Sequence, residues 1–554
     1  MGCRIFTFQL TIILFLGFFQ MINKLIKQPI TVGKIFFTVT VLSLLAFILH
    51  GYYFGVSDQE IFIPYILKST DNQLFPGDLL FNQSSANASF FYSLIALLSK
   101  YLNLQTIFLM GYLMFQIIFF FSIYKLAYVL TKRRDLAIAA LLPFLVPKFI
   151  GGTANYTYDT FFGYRSIGLV FLIFYLVYLF EKKYNKAAAI AAIGVWFHPL
   201  SIIPNIFLLP ILVIMENKSH YRFIALLKSL FFFFMLVSPL ILFSKVSGLS
   251  NFRNMFDADW LSIIKERDDY LFISTWSITG WAALGLYMVP IAMFLRKLEK
   301  PTQKTLRLII ITSFTVFLIN AFALEILKIP AFAQFQLVRS ITSLAYIGLI
   351  LTVFLISSKY PWQFIFGTLA FVTLAANAFL LFMISIFVYA GSLILFRKSS
   401  AFSSGVSKAY ILATLVLTLL VYALINNLNI PKMRNRIQYP KANSDWIDVQ
   451  KWAKANTKQD DLFLVPPDQT GFRIFSQRPI VGDIKDGATV MYSPTYAINW
   501  YQTILDLTNY EKLSDNDFIE LRRKYYFSYI LTASEKNLRF ELKYKNKRFN
   551  VYKI

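Results

Sequence analysis

The sequence is poor in the residues from which many soluble enzymes build reactive centres. A single cysteine, Cys3, excludes an internal disulfide, and three histidines with no CxxC or Cys/His cluster leave no zinc site to read. No phosphate-binding glycine loop, GxSxG elbow or HExxH is present, which argues against nucleotide hydrolysis on the cytosolic side. Acids are scarce as well, with 29 Asp and Glu against 54 Lys and Arg. Charge of either sign makes up only 15% of the 554 residues, too little for a soluble globular chain.

What is there is apolar. Hydrophobic residues make up 57% and aromatic ones 18%, and the mean hydropathy is +0.57, the composition of an α-helical polytopic membrane protein. A crossing helix needs about 20 apolar residues. Runs near 5–22, 35–54, 105–130, 135–150, 167–181, 187–198, 200–215, 222–244, 273–295, 307–325, 340–358, 362–376, 378–396 and 409–427 predict about 13–14 transmembrane helices. The pair 187–198 and 200–215, split by His198-Pro199, reads as one broken helix or two short ones. The first run, behind Arg4, is either an extra helix or a misassigned start with Met21 as the true one.

The formal charge of +25 suggests nucleic acid, but the basic residues lie in clusters between apolar runs. Lys24/Lys27/Lys34, Lys132-Arg133-Arg134, Lys182-Lys183-Lys186, Lys218/Arg222, Arg296-Lys297-Lys300-Lys304 and Arg397-Lys398 all fall on one side, which the positive-inside rule makes cytoplasmic. Loops 55–104, 151–166, 245–272 and 326–339, with everything after about 428, then share the opposite face. The expected organisation is an N-terminal apolar segment and basic linker (1–33), a transmembrane domain with a large first outer loop 55–104 (34–428), and a small extracytoplasmic α/β domain (429–554). The expected location is the cell (inner) membrane.

In the tail, Ser444 is placed to cap a helix through about Ala455 with Trp446 and Trp452 inward, and a second helix starts near Ser514. LFLV (Leu462 to Val465), stopped by Pro466-Pro467, YFSYILT and FNVYKI read as strands. Gly471-Phe472-Arg473, Arg478 and Asp483-Ile484-Lys485 follow the first strand, where open α/β sheets place ligands; they equally suit the surface of a structural lid.

Candidate chemistry gathers in the outer loops. Asp58 and Glu60 leave the first downstream span; two apart, they diverge on a helix and face one way in an extended segment. One carboxylate there could act as general base toward a hydroxyl or amine, and two could hold a divalent cation. The next loop, GGTANYTYDTFFGYRS, sets Asp159 and Arg165 among aromatics that include Tyr158, a pattern suited to a sugar or headgroup and equally to an aromatic belt. Arg339, after EILKIPAFAQFQLVRS, can fork onto a phosphate or snorkel. His198, near the outer end of its span, reads either as a buried, hydrogen-bonded histidine or as a substrate-binding or catalytic one, and His50 as hydrogen-bonded within the bundle or orienting the first loop. The mixed charges of 257–269 read as a solvated amphipathic helix.

A hydrophobic span leading into a large outer loop with Ser57-Asp58-Gln59-Glu60, many further spans and a terminal outer domain resembles the GT-C class of integral-membrane glycosyltransferases. The segments GVSDQEIFIPYI, LFPGDLLF and LFLVPPDQTGFRIFSQRP are more closely similar to a group of bacterial multi-pass proteins that share this membrane region and tail. The resemblance implies an inverting enzyme that takes sugar from a polyprenyl-phosphate or polyprenyl-diphosphate carrier and transfers it on the outer face to a glycan, lipid or protein acceptor. It implies Asp58 as the acid-base position and Asp159 as companion acid. Gln59 interrupts the acidic doublet of some GT-C families, which leaves metal dependence open. Two other readings compete: a transporter or flippase of a lipid-linked saccharide, and a non-catalytic receptor or assembly protein.

Overall fold

The computed structural model describes residues 31–84, 89–216, 222–243, 255–357, 361–395, 408–426, 436–438 and 444–554. The apolar run 5–22 and the choice between Met1 and Met21 lie outside them. Six helical stretches are long and apolar enough to cross a membrane: Val32–His50, Leu104–Thr131, Arg222–Leu240, Ile278–Lys297, Lys300–Ile326 and Pro330–Ser357. Shorter apolar helices at Tyr164–Phe180, Pro199–Met215, Trp362–Ala375, Phe379–Leu393 and Ala413–Ile425 complete a multi-pass membrane bundle. Helix starts follow local chemistry. Asn103 and Ser277 accept the N–H of Thr106 and Gly280 at 2.8 and 3.3 Å, satisfying donors that the first helical turn leaves free.

The stretch Pro330–Ser357 lies at the centre of the bundle, with residues 340–357 buried throughout. Small residues let its neighbours close on it. A Cβ at Gly348 would sit 2.2 Å from the Tyr287 carbonyl oxygen, so the helix Ile278–Phe294 approaches to backbone contact. The run 135–150 differs from expectation. It forms a short helix, Arg134–Ala139, then a single 3₁₀ turn, Leu142–Phe144, and ends in a two-residue strand, Phe149–Ile150. It is buried under other elements and crosses nothing. Pro143 and Pro147 remove helical donors there. The split at His198 is a true break: Tyr184–Phe197 ends, His198 is extended, and Pro199–Ile202 starts a new turn before Leu208–Glu216.

The terminal domain is a mixed sheet with helices. Its strands lie in the order Phe463–Leu464, Tyr529–Ala533, Phe549–Lys553, Glu541–Lys545; the first pair is parallel and the other two antiparallel. Ser444 accepts from Ile447 N–H at 3.2 Å at the start of Asp445–Asn456, and Ser514 makes a reciprocal capping box with Asp517 before Asp515–Tyr525. Both helices and three of the strands were legible in the sequence. The fourth strand, ELKYK, was not: it is an edge strand with mostly exposed side chains. The helix Pro494–Asp506 was missed too.

This domain is bolted to the loop 55–104. Tyr52–Tyr53 pairs in parallel with Ile437–Gln438, where the tail leaves the bundle. Farther on, Arg473 donates to both Asp78 oxygens at 2.7 and 2.9 Å and to both Asp486 oxygens at 2.8 and 2.7 Å. Asp78 also accepts from the Ile480 N–H at 3.1 Å. All three side chains are at most 2% exposed. Taking such a trio out of water is expensive, and it holds only because nearly every donor and lone pair is used.

Candidate functional site

The loops 55–104 and 151–166 and the terminal domain meet at one end of the bundle. In the first, Gly55 (φ 77°) and Ser57 (φ 56°) take left-handed backbone, which a serine adopts rarely. Gln59 holds the turn. Its fully buried amide accepts from the Gly55 N–H at 2.5 Å and donates to the Phe162 carbonyl of the second loop at 2.9 Å. The residue that interrupts the acidic motif is therefore the one that ties the two acid-bearing loops together.

Asp58 precedes the helix Gln59–Thr70 yet caps none of its N–H groups, so its carboxylate is available. Lys485 of the terminal domain donates to it at 2.8 Å. Burial by itself would raise the Asp58 carboxyl, but Lys485, and after it Arg165 and Arg339, outweigh burial and hold it well below the usual carboxylate range. Its side chain keeps 36% of its surface open. The opening is onto a cavity.

Glu60 does not join it. The helix rotates residues two apart by about 200°, and Glu60 packs its stem on Gly471, bonds Thr470 and stays off the cavity wall. Burial raises its carboxyl. The two acids therefore do not face one way: Asp58 lines the cavity and Glu60 does not. Among the described residues no three His, Cys, Asp or Glu lie close enough to hold a metal ion, so the diverging pair does not fit a shared divalent cation.

In the second loop, Arg165 opens the helix Tyr164–Phe180 and forks onto Asp159. Its Nε donates to Oδ2 at 2.8 Å, its Nη2 to Oδ1, and its Nη1 to Asn155. Acid and base are thus committed to each other. Tyr158 is fully buried and spends its hydroxyl on the Phe144 carbonyl at 2.8 Å. Its hydroxyl is thus committed, and the residue borders the cavity with its ring. His198 Nδ1 lies 2.7 Å from Ser201 Oγ, a hydroxyl partner, with its ring 5.0 Å from that of Tyr164. A Cβ on Gly168 would come within 2.6 Å of His198 Cβ, so that glycine makes room for the histidine. His50 bonds the Gly51 carbonyl and Gln116 inside the bundle, away from the site.

Arg339 lies in the 3₁₀ turn Leu337–Ile341, near the start of the central stretch. Its Nε donates to the Thr153 carbonyl at 3.3 Å, and its guanidinium lies 5.6 Å from the Tyr270 ring centre. It makes no ion pair among the described residues. It is the arginine best placed to receive an anion.

Asp58, Asp159, Arg165, His198, Arg339 and Lys485 all line one cavity of about 1750 Å³. Its walls are of two kinds. Against this charged wall stands an apolar one, with Phe207, Leu209 and Pro210 from the segment after His198 and Phe233, Phe234 and Val237 from the helix Arg222–Phe243. That helix shows large apolar side chains outward, Phe231 at 63% and Phe234 at 56% exposure. The terminal domain roofs the cavity with Ile484–Tyr492, a 3₁₀ segment capped by Asp483 and docked by the Trp260 indole on the Val490 carbonyl at 2.9 Å. Three lining residues escaped sequence reading in this role. Lys485 read as part of a ligand-facing edge of the tail's sheet or as lid surface, not as a partner of Asp58, Asp268 read as part of a solvated helix, and Gln336 carried no signal at all.

Residues 444–507 match the family described as a domain of unknown function (DUF6798). No curated protein matches the sequence. Among solved structures, the chain is similar to the crystal structure of the Archaeoglobus fulgidus oligosaccharyltransferase tethered to an acceptor peptide. The TM-score is 0.42 at 11% identity, over 90% of this chain and 69% of that one. It is also similar to the cryo-EM structure of the arabinosyltransferase EmbB from Mycobacterium smegmatis. There the TM-score is 0.41 at 12% identity, over 76% of this chain and 43% of the other. This chain thus spans less than half of the arabinosyltransferase. Likenesses of this degree describe an outline and carry no correspondence of residues or chemistry.

Proposed function

We propose that this protein is an inner-membrane glycosyltransferase that moves a sugar from a polyprenyl-phosphate donor to a glycan, lipid or protein acceptor on the outer face. The observation that carries the reading is the two-walled cavity. Asp58 and Arg339 stand on one wall, and the other is an apolar surface reaching a lipid-facing helix. An isoprenoid chain gains about 0.8 kcal/mol for each buried CH₂, so the apolar wall is matched to it. Arg339 receives the phosphate as a guanidinium fork.

In the reaction, an acceptor hydroxyl attacks the anomeric carbon from the face opposite the phosphate and gives its proton to Asp58. The bond from that carbon to the phosphate oxygen breaks, the electron pair leaves with the phosphate, and Arg339 stabilises the charge. A carboxylate held as low as Asp58 is a weak base at rest. An anionic donor arriving among Lys485, Arg165 and Arg339 offsets the charges that hold it low, so binding itself raises its basicity. Gln59 keeps the carboxylate in register with the second loop.

The test is sugar transfer in membranes from a lipid-linked donor, wild type beside Asp58→Asn. Loss of about 100-fold or more in turnover, with protein abundance unchanged, is expected of a removed base. Undiminished transfer would take Asp58 out of the mechanism.

A further inference from the structure

Four uncharged polar groups open into the cavity with nothing to bond. Tyr92 of the helix Phe90–Leu98, Tyr164 at the start of Tyr164–Phe180, His198 at the break and Tyr492 at the end of the roof segment all line it. Among the described residues the three phenol hydroxyls and His198 Nε2 have no hydrogen-bond partner, and none of the four is a polar atom sealed from solvent. Each therefore keeps surface, and the space these residues line is the cavity. Tyrosines deeper in the bundle differ: Tyr112, Tyr158 and Tyr346 donate to the carbonyls of Asp159, Phe144 and Thr157. His198 itself is only 4% exposed. Its Nδ1 faces Ser201 Oγ at 2.7 Å, the one partner that this buried hydroxyl has. With the ring proton on Nδ1, the serine hydrogen would be buried unspent, so the serine donates and the neutral imidazole carries its N–H on Nε2.

The four groups form one patch. Ring centres lie 6.0 Å apart between Tyr92 and Tyr164 and 5.0 Å apart between Tyr164 and His198, while Tyr492 comes in from the roof within electrostatic reach of Tyr92 and Tyr164. The charge of Asp58 acts on Tyr92, Tyr164 and His198, and that of Arg339 on Tyr164, His198 and Tyr492. The patch thus lies between the carboxylate and the anion seat and has no charge of its own. A phenol hydroxyl both gives and takes a hydrogen bond, and its ring offers a flat apolar face. The matching ligand carries O–H groups and a C–H face together. A phosphate or an isoprenoid chain answers only half of that demand.

From this we infer that Tyr92, Tyr164, His198 and Tyr492 form the subsite for a neutral sugar ring, the ring of the donor, whose anomeric phosphate rests on Arg339 and whose anomeric carbon is turned toward the Asp58 side. The sugar hydroxyls exchange hydrogen bonds with the phenols and accept the His198 N–H, and a C–H face of the ring lies on the aromatic surface. The sugar is neutral because the patch offers no cation to a sugar acid. Its assignment to the donor rests on the transferase reading; the demand for a hydroxylated ring does not.

The experiment uses the full-length protein in nanodiscs with three probes. Saturation-transfer NMR with methyl hexosides and pentosides reads the ring subsite alone, the corresponding sugar 1-phosphates read the ring and the anion seat together, and bare polyprenyl phosphate reads the anion seat and apolar wall. Methyl glycosides are expected to bind wild type, and their per-O-methylated counterparts, which lack O–H groups, are not. Tyr92→Phe, Tyr164→Phe and Tyr492→Phe keep each ring and remove one open hydroxyl, so each should weaken glycoside binding about three- to tenfold. Their thermal melts should match wild type, because those hydroxyls bond nothing in the protein. Sugar 1-phosphates should bind about tenfold tighter than methyl glycosides and lose that gain in Arg339→Gln. No glycoside binding to wild type, equal binding of the permethylated forms, or unaltered binding in any two of the three phenylalanine variants would overturn the subsite. A 1-phosphate with no gain would overturn its assignment to the donor. Glycoside binding that follows these expectations, with no binding of bare polyprenyl phosphate, would uphold the subsite and remove the lipid carrier from the proposed function.

Discussion

Two charged clusters lie within the same docked face, and they use the same chemistry to opposite ends. In the latch, Arg473 satisfies Asp78 and Asp486 with four hydrogen bonds of 2.7–2.9 Å, and none of the three is more than 2% exposed. In the cavity, Lys485 makes one bond of 2.8 Å to Asp58, with 20% and 36% of their side chains open. Distance does not separate the two. Spare hydrogen-bonding capacity and access do: the latch has nothing left to offer a ligand, whereas the cavity keeps a partly open carboxylate and an arginine that pairs with no acid among the described residues. A charged residue is structural here when its partners exhaust it, and available for binding when they do not.

The comparison breaks most readily at the latch. Arg473→Met should strip the trio of its only cation and cost about 3–5 kcal/mol, the usual loss when one partner of a buried ion pair is removed. Protease digestion and thermal melts would show it as a loosened terminal domain, and a melt unchanged from wild type would contradict the assignment. Asp268→Asn should act in the other direction. The folded carboxyl, near 6, still holds its proton where the unfolded one, near 3.9, has lost it, so the folded state gains stability as pH falls between those values. Asparagine does not titrate. The variant should therefore be more stable than wild type above about pH 6, by up to about 3 kcal/mol, and the gap should close below about pH 4. A pH-independent difference would show that Asp268 is not held in this way.

Smaller effects sharpen the cavity side. Arg339→Gln should weaken polyprenyl phosphate binding about tenfold or more while leaving the melt in place, because its guanidinium is tied to no carboxylate among the described residues. Lys485→Gln should move stability least, by about 1 kcal/mol or less, since its pair with Asp58 is partly open to water. Its visible consequence would be electrostatic. With Lys485 gone, the largest force holding the Asp58 carboxyl low is lost, and that carboxyl should titrate upward in an NMR or infrared pH series.

The apolar runs and the tail's capping serines were legible because each depends on a few neighbouring residues. Ser444 and Ser514 cap helices with atoms three positions away, and the transmembrane runs follow from composition alone. The run 135–150 misled because apolar content does not distinguish a crossing helix from a buried, proline-broken one. In the site, Asp58, Asp159, Arg165 and Arg339 were found by charge at a membrane edge, and the structure brings them to one cavity. Glu60 failed because whether residues two apart face together depends on a helix that begins between them. The meeting of Lys485 with Asp58 and the place of Asp268 and Gln336 on the same wall were hidden for a different reason: they depend on contacts between distant parts of the chain, Lys485 reaching Asp58 across 427 positions.

The most direct test of the account is where a carrier lipid binds. A photoreactive polyprenyl phosphate, with its label in the isoprenoid chain, should crosslink within residues 199–243, beside Phe207 and Phe233 on the apolar wall. The crosslink should fade in Arg339→Gln. Crosslinks scattered over the outward faces of the bundle and indifferent to Arg339 would mean that the charged and apolar walls do not serve one ligand.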